Sequence, residues 1–441
     1  MPKLPKRVST ALLNALAAGV VPRVGIEHIA VGREAELEAI RQDLVNIRAG
    51  GAAFRFVIGR YGAGKSFMLQ LIRNAAMEAG FVVADADLSP ELRLAGGRQQ
   101  AVATYRELLK NLATRTCPRG GAIALILEKW LSSILNQVAQ ATQSRPGDPE
   151  FDQQVEANIR TVVSNLEGLV HGFDFANVII AYWRGYREDD TAKKDAALRW
   201  LRGEFASKVE ARAALDVRVV VDDETWYDYL KLLARFAADI GYRGLIVILD
   251  EAVYLYKVSH SRSRQSNYDR LLAMFNDTIQ GKAESLGFFI GGTLQFLEDE
   301  RRGLYSDPAW RTRLERSRFL QNGLQDNTAP AIILDPLSPD QITALLQQLA
   351  RVHSQHYGYE PVLGDRDLQT FQRAVATRLG ADLLLTPREL VRDFISILNV
   401  LQQNPQLQFG DLLDRGGLHY SLAAVTAAPT EERDEFAEFT L

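Results

Sequence analysis

Phe54-Arg55-Phe56-Val57-Ile58-Gly59-Arg60-Tyr61-Gly62-Ala63-Gly64-Lys65-Ser66 joins a short apolar run to a glycine-rich turn that ends in a lysine and a hydroxyl. From Gly59 to Ser66 the residues fit G-x-x-x-x-G-K-[ST], a pattern that holds phosphate when it lies between a strand and a helix. Both neighbours are present: residues 54–58 predict a strand, and Phe67, Leu69 and Ile72 line a helix that closes at Gly80. The glycines let backbone N–H groups turn inward around phosphate oxygens, and the helix N-terminus adds partial positive charge. Lys65 is placed to reach the β- and γ-phosphates, and the Ser66 hydroxyl to bind Mg²⁺. The expected nucleotide-binding set is Gly59, Tyr61, Gly62, Ala63, Gly64, Lys65, Ser66 and Phe67.

Residues 245–249, Leu-Ile-Val-Ile-Leu, are uniformly aliphatic, which predicts a central parallel strand covered on both faces. Asp250 and Glu251 follow at its C-terminal edge, where ligands bind in open α/β sheets. Alone, such a pair reads equally as a solvated turn. With the phosphate loop upstream, Asp250 becomes the acid of the Mg²⁺ shell and Glu251 a general base for water, favouring hydrolysis over transfer to a small acceptor.

Two further segments bear on that chemistry. Gly291-Gly292-Thr293 ends another apolar run, so Thr293 either orients the lytic water or caps the next helix. Leu385-Thr386-Pro387-Arg388-Glu389 predicts a helix start, with Thr386 and Glu389 as a capping box and Pro387 at the first helical position. Leu390, Phe394, Ile397 and Leu401 continue its apolar face. Arg388 then opposes the helix dipole, which a nearby γ-phosphate would resolve; the alternative is a solvated or ion-paired arginine.

Outward from these motifs, Leu37, Ile40, Leu44 and Ile47 mark a helix stopped by Gly50, residues 81–84 a second strand, and 287–293 and 331–334 two more. Residues 88–240 read as mainly helical, with stripes at Tyr105, Leu108, Leu109 and Leu112 and at Leu127, Trp130, Leu131, Ile134 and Val138. Residues 217–221 suggest a strand, and Asp85 and Asp87 caps after the second strand. The fold class is α/β: a parallel-sheet P-loop core over 51–335 with a large helical insertion at about 88–240, preceded by a helical segment at 1–50. A helical C-terminal lid at 336–425 and an acidic tail at 426–441 follow.

Composition sets limits. The 51 basic residues against 55 acidic give −4, so nucleic-acid binding must rest on a local patch. One patch is Arg301, Arg302, Arg311, Arg313, Arg316 and Arg318, which reads as an arginine finger, a phosphate-backbone contact or a plain exposed helix. A second, at 259–270, sets Arg262, Arg264 and Arg270 beside Tyr254, Tyr256 and Tyr268, as a strand-binding loop or a disordered polar one. A lone Cys117 excludes a disulfide framework and a thiolate zinc cluster, and His353 and His356 read as surface helix rather than ligands. Lys3, Lys6 and Arg7 before an apolar run imitate a signal peptide, but Leu12, Leu13, Leu16 and Val20 fit one face of a short helix. No run approaches the ~18–20 apolar residues of a membrane span. A cytoplasmic location, without a membrane partner, is the expectation.

The succession V-P-R-V-G-I-E-H-I-A-V-G-R-E from Val21, F-V-I-G-R-Y-G-A-G-K-S from Phe56, V-I-L-D-E from Val247 and L-T-P-R-E-L-V-R-D-F from Leu385 resembles the ATP-binding proteins of bacteriophage-exclusion (BREX) defence systems. More broadly the order is similar to AAA+ ATPases of the origin-recognition type. That resemblance implies a nucleotide-pocket role for Val31, Gly32 and Arg33, a first sensor at Thr293, a second at Arg388, and a finger at Arg318 in the pair Ser317-Arg318. It also implies a lid whose first helix is capped by Ser338-Pro339-Asp340-Gln341. The function to expect is Mg²⁺-dependent ATP hydrolysis in anti-phage defence, by a homo-oligomer or with a helicase-like partner, on DNA. The alternatives are a nucleotide-gated binding module with little turnover and a DNA-binding adaptor.

Overall fold

The computed structural model describes residues 4–97, 99–142, 148–315, 326, 328–360, 363–378, 386–410 and 412; the acidic tail lies outside them. The chain divides into two compact units, Met1–Val31 with Leu337–Leu441, and Gly32–Pro336. The first unit opens with helix α1 (Lys6–Ala17), and the second with α2 (Glu34–Arg48).

Among the described residues, five parallel strands form the sheet of the second unit: β1 (Ala52–Ile58), β2 (Val82–Asp87), β3 (Leu245–Asp250), β4 (Leu286–Gly292) and β5 (Ala331–Ile333), in the order β2-β3-β4-β1-β5. All six β3 residues are buried, as a strand flanked by two others and covered on both faces requires. The middle position belongs to β4, which pairs with β1 from Ala52↔Leu286 to Ile58↔Gly292 and with β3 from Leu245↔Leu286 to Leu249↔Ile290. This register brings the C-terminal ends of β1, β3 and β4 together. Helix α3 (Lys65–Glu78) returns the chain from β1 to β2. Aromatic edges fill the face beneath β1: Phe54 meets Phe275 at 5.4 Å and Phe56 meets Trp310 at 5.6 Å between centroids, each such pair worth about 0.5–1.5 kcal/mol beyond burial.

Between β2 and β3 the helical insertion comprises α4 (Gln100–Lys110), α5 (Ile123–Thr142), α6 (Pro149–Glu167), α7 (Gly172–Arg187), α8 (Thr191–Leu201), α9 (Lys208–Leu215) and α10 (Trp226–Asp239). Both predicted stripes are buried, and Trp130 on α5 packs edge-on against Phe236 of α10 at 5.1 Å. The Asp223 carboxylate accepts from the amides of Gln99, Ala101 and Val102 at 2.8–2.9 Å, satisfying donors that the start of α4 leaves open. Residues 217–221 are not a strand. Val217 and Val221, four apart, both enter the core, and the Val219 carbonyl accepts from the Trp200 indole at 2.8 Å instead of a ladder partner. Asp85 and Asp87 belong to β2 itself; Asp85 accepts from the buried Arg73 guanidinium at 2.7 Å.

After β3 come α11 (Val253–Tyr256) and α12 (Ser261–Ile279), then α13 (Leu294–Glu298) and α14 (Pro308–Leu314) following β4. The segment 259–270, read from sequence as a loop, is largely the first half of α12. Tyr268, Leu271 and Phe275 bury one face of that helix, while its first turns stay polar and exposed. Together these elements make an α/β, AAA+-type P-loop core with a parallel sheet and a large helical insertion; the C-terminal region is helical.

In the first unit, α1 packs with α15 (Pro339–Tyr357) and α17 (Pro387–Gln403), and α16 (Asp365–Arg378) joins through Phe371 against Phe394. Leu12, Leu13 and Leu16 of α1 are buried, but Val20 lies past the helix end and is exposed. Ser338 and Gln341 form the reciprocal capping box of α15. At α17 only half of the expected box forms: Thr386 Oγ accepts from the Glu389 amide, while the Glu389 carboxylate takes the Thr386 hydroxyl rather than its backbone N–H.

His353 is fully buried rather than a surface residue, with Nδ1 against the Tyr359 hydroxyl at 2.7 Å and Nε2 against Asn399 Oδ1 at 3.0 Å. Burial holds its pKa below the ordinary imidazole value; the Asn399 bond opposes this and nearby His356 adds to it. The neutral ring is therefore favoured by folding, so this stabilisation is complete above about pH 6.5 and fades as the pH falls below it. Thermal unfolding across that range should show a loss that His353→Asn flattens.

Candidate functional site

The phosphate-loop sequence forms a tight turn between β1 and α3. Gly62 and Gly64 hold φ of 78° and 93°, backbone that a side chain resists, and α3 begins at Lys65 with no side chain capping its first amides. Those amides are the donors such a turn presents to an anion. The Lys65 ammonium donates to the carbonyls of Gly59 at 3.2 Å and Arg60 at 3.0 Å, folded back over the loop. Tyr61 is 77% exposed at the loop's apex. Buried Arg33 donates to the Asp335 carbonyl at 2.7 Å and the Ala63 carbonyl at 3.5 Å and pairs with Glu36 at 3.3 Å, so it braces the loop against the end of β5.

The two sequence motifs, 184 residues apart, meet directly: Ser66 Oγ donates to Asp250 Oδ2 at 2.6 Å. Asp250 Oδ1 accepts from the Glu251 amide at 2.8 Å. Glu251 itself is exposed and adopts left-handed backbone, φ 58°. For a residue with a β-carbon this conformation is uncommon and gathers at functional sites. Thr293 follows β4 and caps α13, accepting from the Phe296 amide at 3.2 Å, so the capping role is present; its hydroxyl proton can still be directed elsewhere.

The donor set suits a hard cation. A hydroxyl and one carboxylate are what Mg²⁺ takes from protein when substrate phosphates and water complete its octahedron. Among the described residues no group of three or more His, Cys, Asp or Glu is arranged to hold a metal unaided, and none of their helices is long and apolar enough to cross a membrane.

Val31 ends the N-terminal segment of the first unit, and Gly32 begins the second. Arg388 occupies the first turn of α17 in the first unit, its aliphatic stem beside Gly19. Ser317 and Arg318 lie outside the described residues. The basic segments are more committed than their sequence suggests: Arg264 and Arg302 donate to the Val258 carbonyl, Arg311 pairs with Glu300, and Tyr268 is buried with its hydroxyl on the Arg302 carbonyl. Tyr268 therefore offers no face for stacking a base. The role of Arg33 as a brace between the loop and the end of β5 was not legible from spacing.

The family model described as "BREX system ATP-binding protein BrxC/D" matches residues 4–416. A search of the curated proteins finds no match.

Proposed function

The chain belongs to the BREX system ATP-binding protein BrxC/D family, and from that premise we propose that it is a Mg²⁺-dependent ATPase whose site is built from residues 59–66, Asp250 and Glu251. The observation that carries the proposal is the Ser66–Asp250 contact, because it brings the glycine-rich turn after β1 together with the acid that ends β3, across the intervening β4. In this reading the loop amides and Lys65 hold the β- and γ-phosphates, while Gly59, Tyr61, Gly62, Ala63, Gly64 and Phe67 shape their cradle. Ser66 and Asp250 hold the cation, and Arg33 with Val31 and Gly32 border the pocket. Bound there, Mg²⁺ would neutralise charge on the phosphate oxygens. Glu251 takes a proton from water as that water's oxygen bonds to the γ-phosphorus; the bond to the bridging oxygen breaks, and ADP leaves with the electron pair. Thr293 orients the water. Arg388 acts as a second sensor of the γ-phosphate, and Arg318 as a finger inserted in trans into a neighbouring subunit's ATP site, in an assembly of the chain with itself or with a helicase-like defence partner on DNA.

Phosphate release by the purified chain with Mg²⁺ and with EDTA tests this. Magnesium-dependent release is expected. Tight ATP binding without release would favour a nucleotide-gated module instead.

A further inference from the structure

The C-terminal peptide of β4 connects both halves of the site. The Gly292 carbonyl accepts from the Gly59 amide at 3.2 Å, and the Gly291 carbonyl accepts from the Ala252 amide at 2.9 Å. Neighbouring residues of one strand thus hold the first residue of the phosphate loop and the turn that carries Glu251. Neither glycine has positive φ, so the backbone alone would accept alanine at both. Their surroundings differ. A Cβ at Gly291 would stand 2.2 Å from Asp250 Oδ1 and 2.8 Å from Leu69 Cδ1, whereas a Cβ at Gly292 would meet only apolar side chains, Phe296 at 2.6 Å and Ile58 at 3.1 Å.

The carboxylate that would be struck has no spare position. Asp250 Oδ2 is on Ser66 and Oδ1 on the Glu251 amide, and a rotation that clears a Cβ at 291 gives up at least one of these bonds. We propose that Gly291 is a positioning residue for Asp250: the missing side chain leaves the space in which that carboxylate can face Ser66 while fixing the left-handed turn at Glu251. The assignment deepens the reading of Asp250 as the cation's acid and rests on it. Its steric part does not.

Two measurements test it. The first is a stability cycle without nucleotide: melting temperatures of wild type, Gly291→Ala, Asp250→Ala and the double variant. Gly291→Ala should be strongly destabilising with Asp250 present and markedly less so in the Asp250→Ala background, where the oxygen it strikes is gone and the flexible Leu69 methyl at 2.8 Å remains to be displaced. An equal loss in both backgrounds overturns the proposal. The second is calorimetric ATP affinity with Mg²⁺ and with EDTA. Gly291→Ala should keep its EDTA affinity and lose about 10- to 100-fold of the Mg²⁺-dependent gain, the usual scale for disturbing a metal ligand's support. Gly292→Ala should melt earlier and keep the gain. An undiminished gain in Gly291→Ala overturns the proposal. If wild type itself shows no Mg²⁺-dependent gain, the ATPase reading fails, and the stability cycle still decides the role of Gly291.

Discussion

Glu251→Gln is expected to bind ATP as wild type does and to release phosphate about 10²- to 10⁴-fold more slowly, the usual contribution of a positioned general base. The substitution keeps the length and shape of the side chain and removes only its capacity to take a proton. It leaves intact the turn that presents the residue, since the amide bond to Asp250 Oδ1 belongs to the backbone. Glutamine also meets the same φ of 58° as glutamate does, so no new strain enters. Phosphate release under single-turnover conditions, beside calorimetric affinity, separates the two effects. A wild-type rate would place the base elsewhere and return Glu251 to a solvated turn.

Lys65→Ala should instead abolish tight binding while leaving the fold unchanged. Its ammonium donates to the carbonyls of Gly59 and Arg60, contacts it can exchange for phosphate oxygens. Hydrogen bonds to charged groups contribute about 1.5–3 kcal/mol each, so two lost phosphate contacts amount to about 10²- to 10⁴-fold in Kd. Calorimetry should show this with a melting temperature close to wild type. Retained affinity would mean that nucleotide binds somewhere other than the turn at 59–66.

The parts of the molecule legible in sequence are those whose physics is local. A buried parallel strand shows as an unbroken aliphatic run, and 245–249 stands out for that reason. The phosphate turn is a fixed spacing of glycines before a helix, and Ser338 with Gln341 is a capping box three residues wide. What escaped is long-range. Nothing near Leu286 says that β4 lies between β1 and β3, yet that insertion is what places Gly291 against Asp250 and Thr293 at the same edge. The first half of α12 was misread because its buried face, through Tyr268, Leu271 and Phe275, starts only after two polar turns. His353 was misread because its partners, Tyr359 and Asn399, are set by helix packing rather than by spacing. At Thr386 the cap was visible, but which group Glu389 would return its bond to was a rotamer choice the sequence does not encode.

The central claim is that Ser66 and Asp250 share one cation with a nucleotide seated on the turn at 59–66. Calorimetric titration of ATP into wild type and Asp250→Asn, each with Mg²⁺ and with EDTA, tests it most directly. The account predicts that Mg²⁺ tightens binding to wild type and that Asp250→Asn binds almost equally in both conditions, at the wild-type EDTA affinity. An Asp250→Asn protein whose affinity still rises with Mg²⁺ as wild type's does would contradict it.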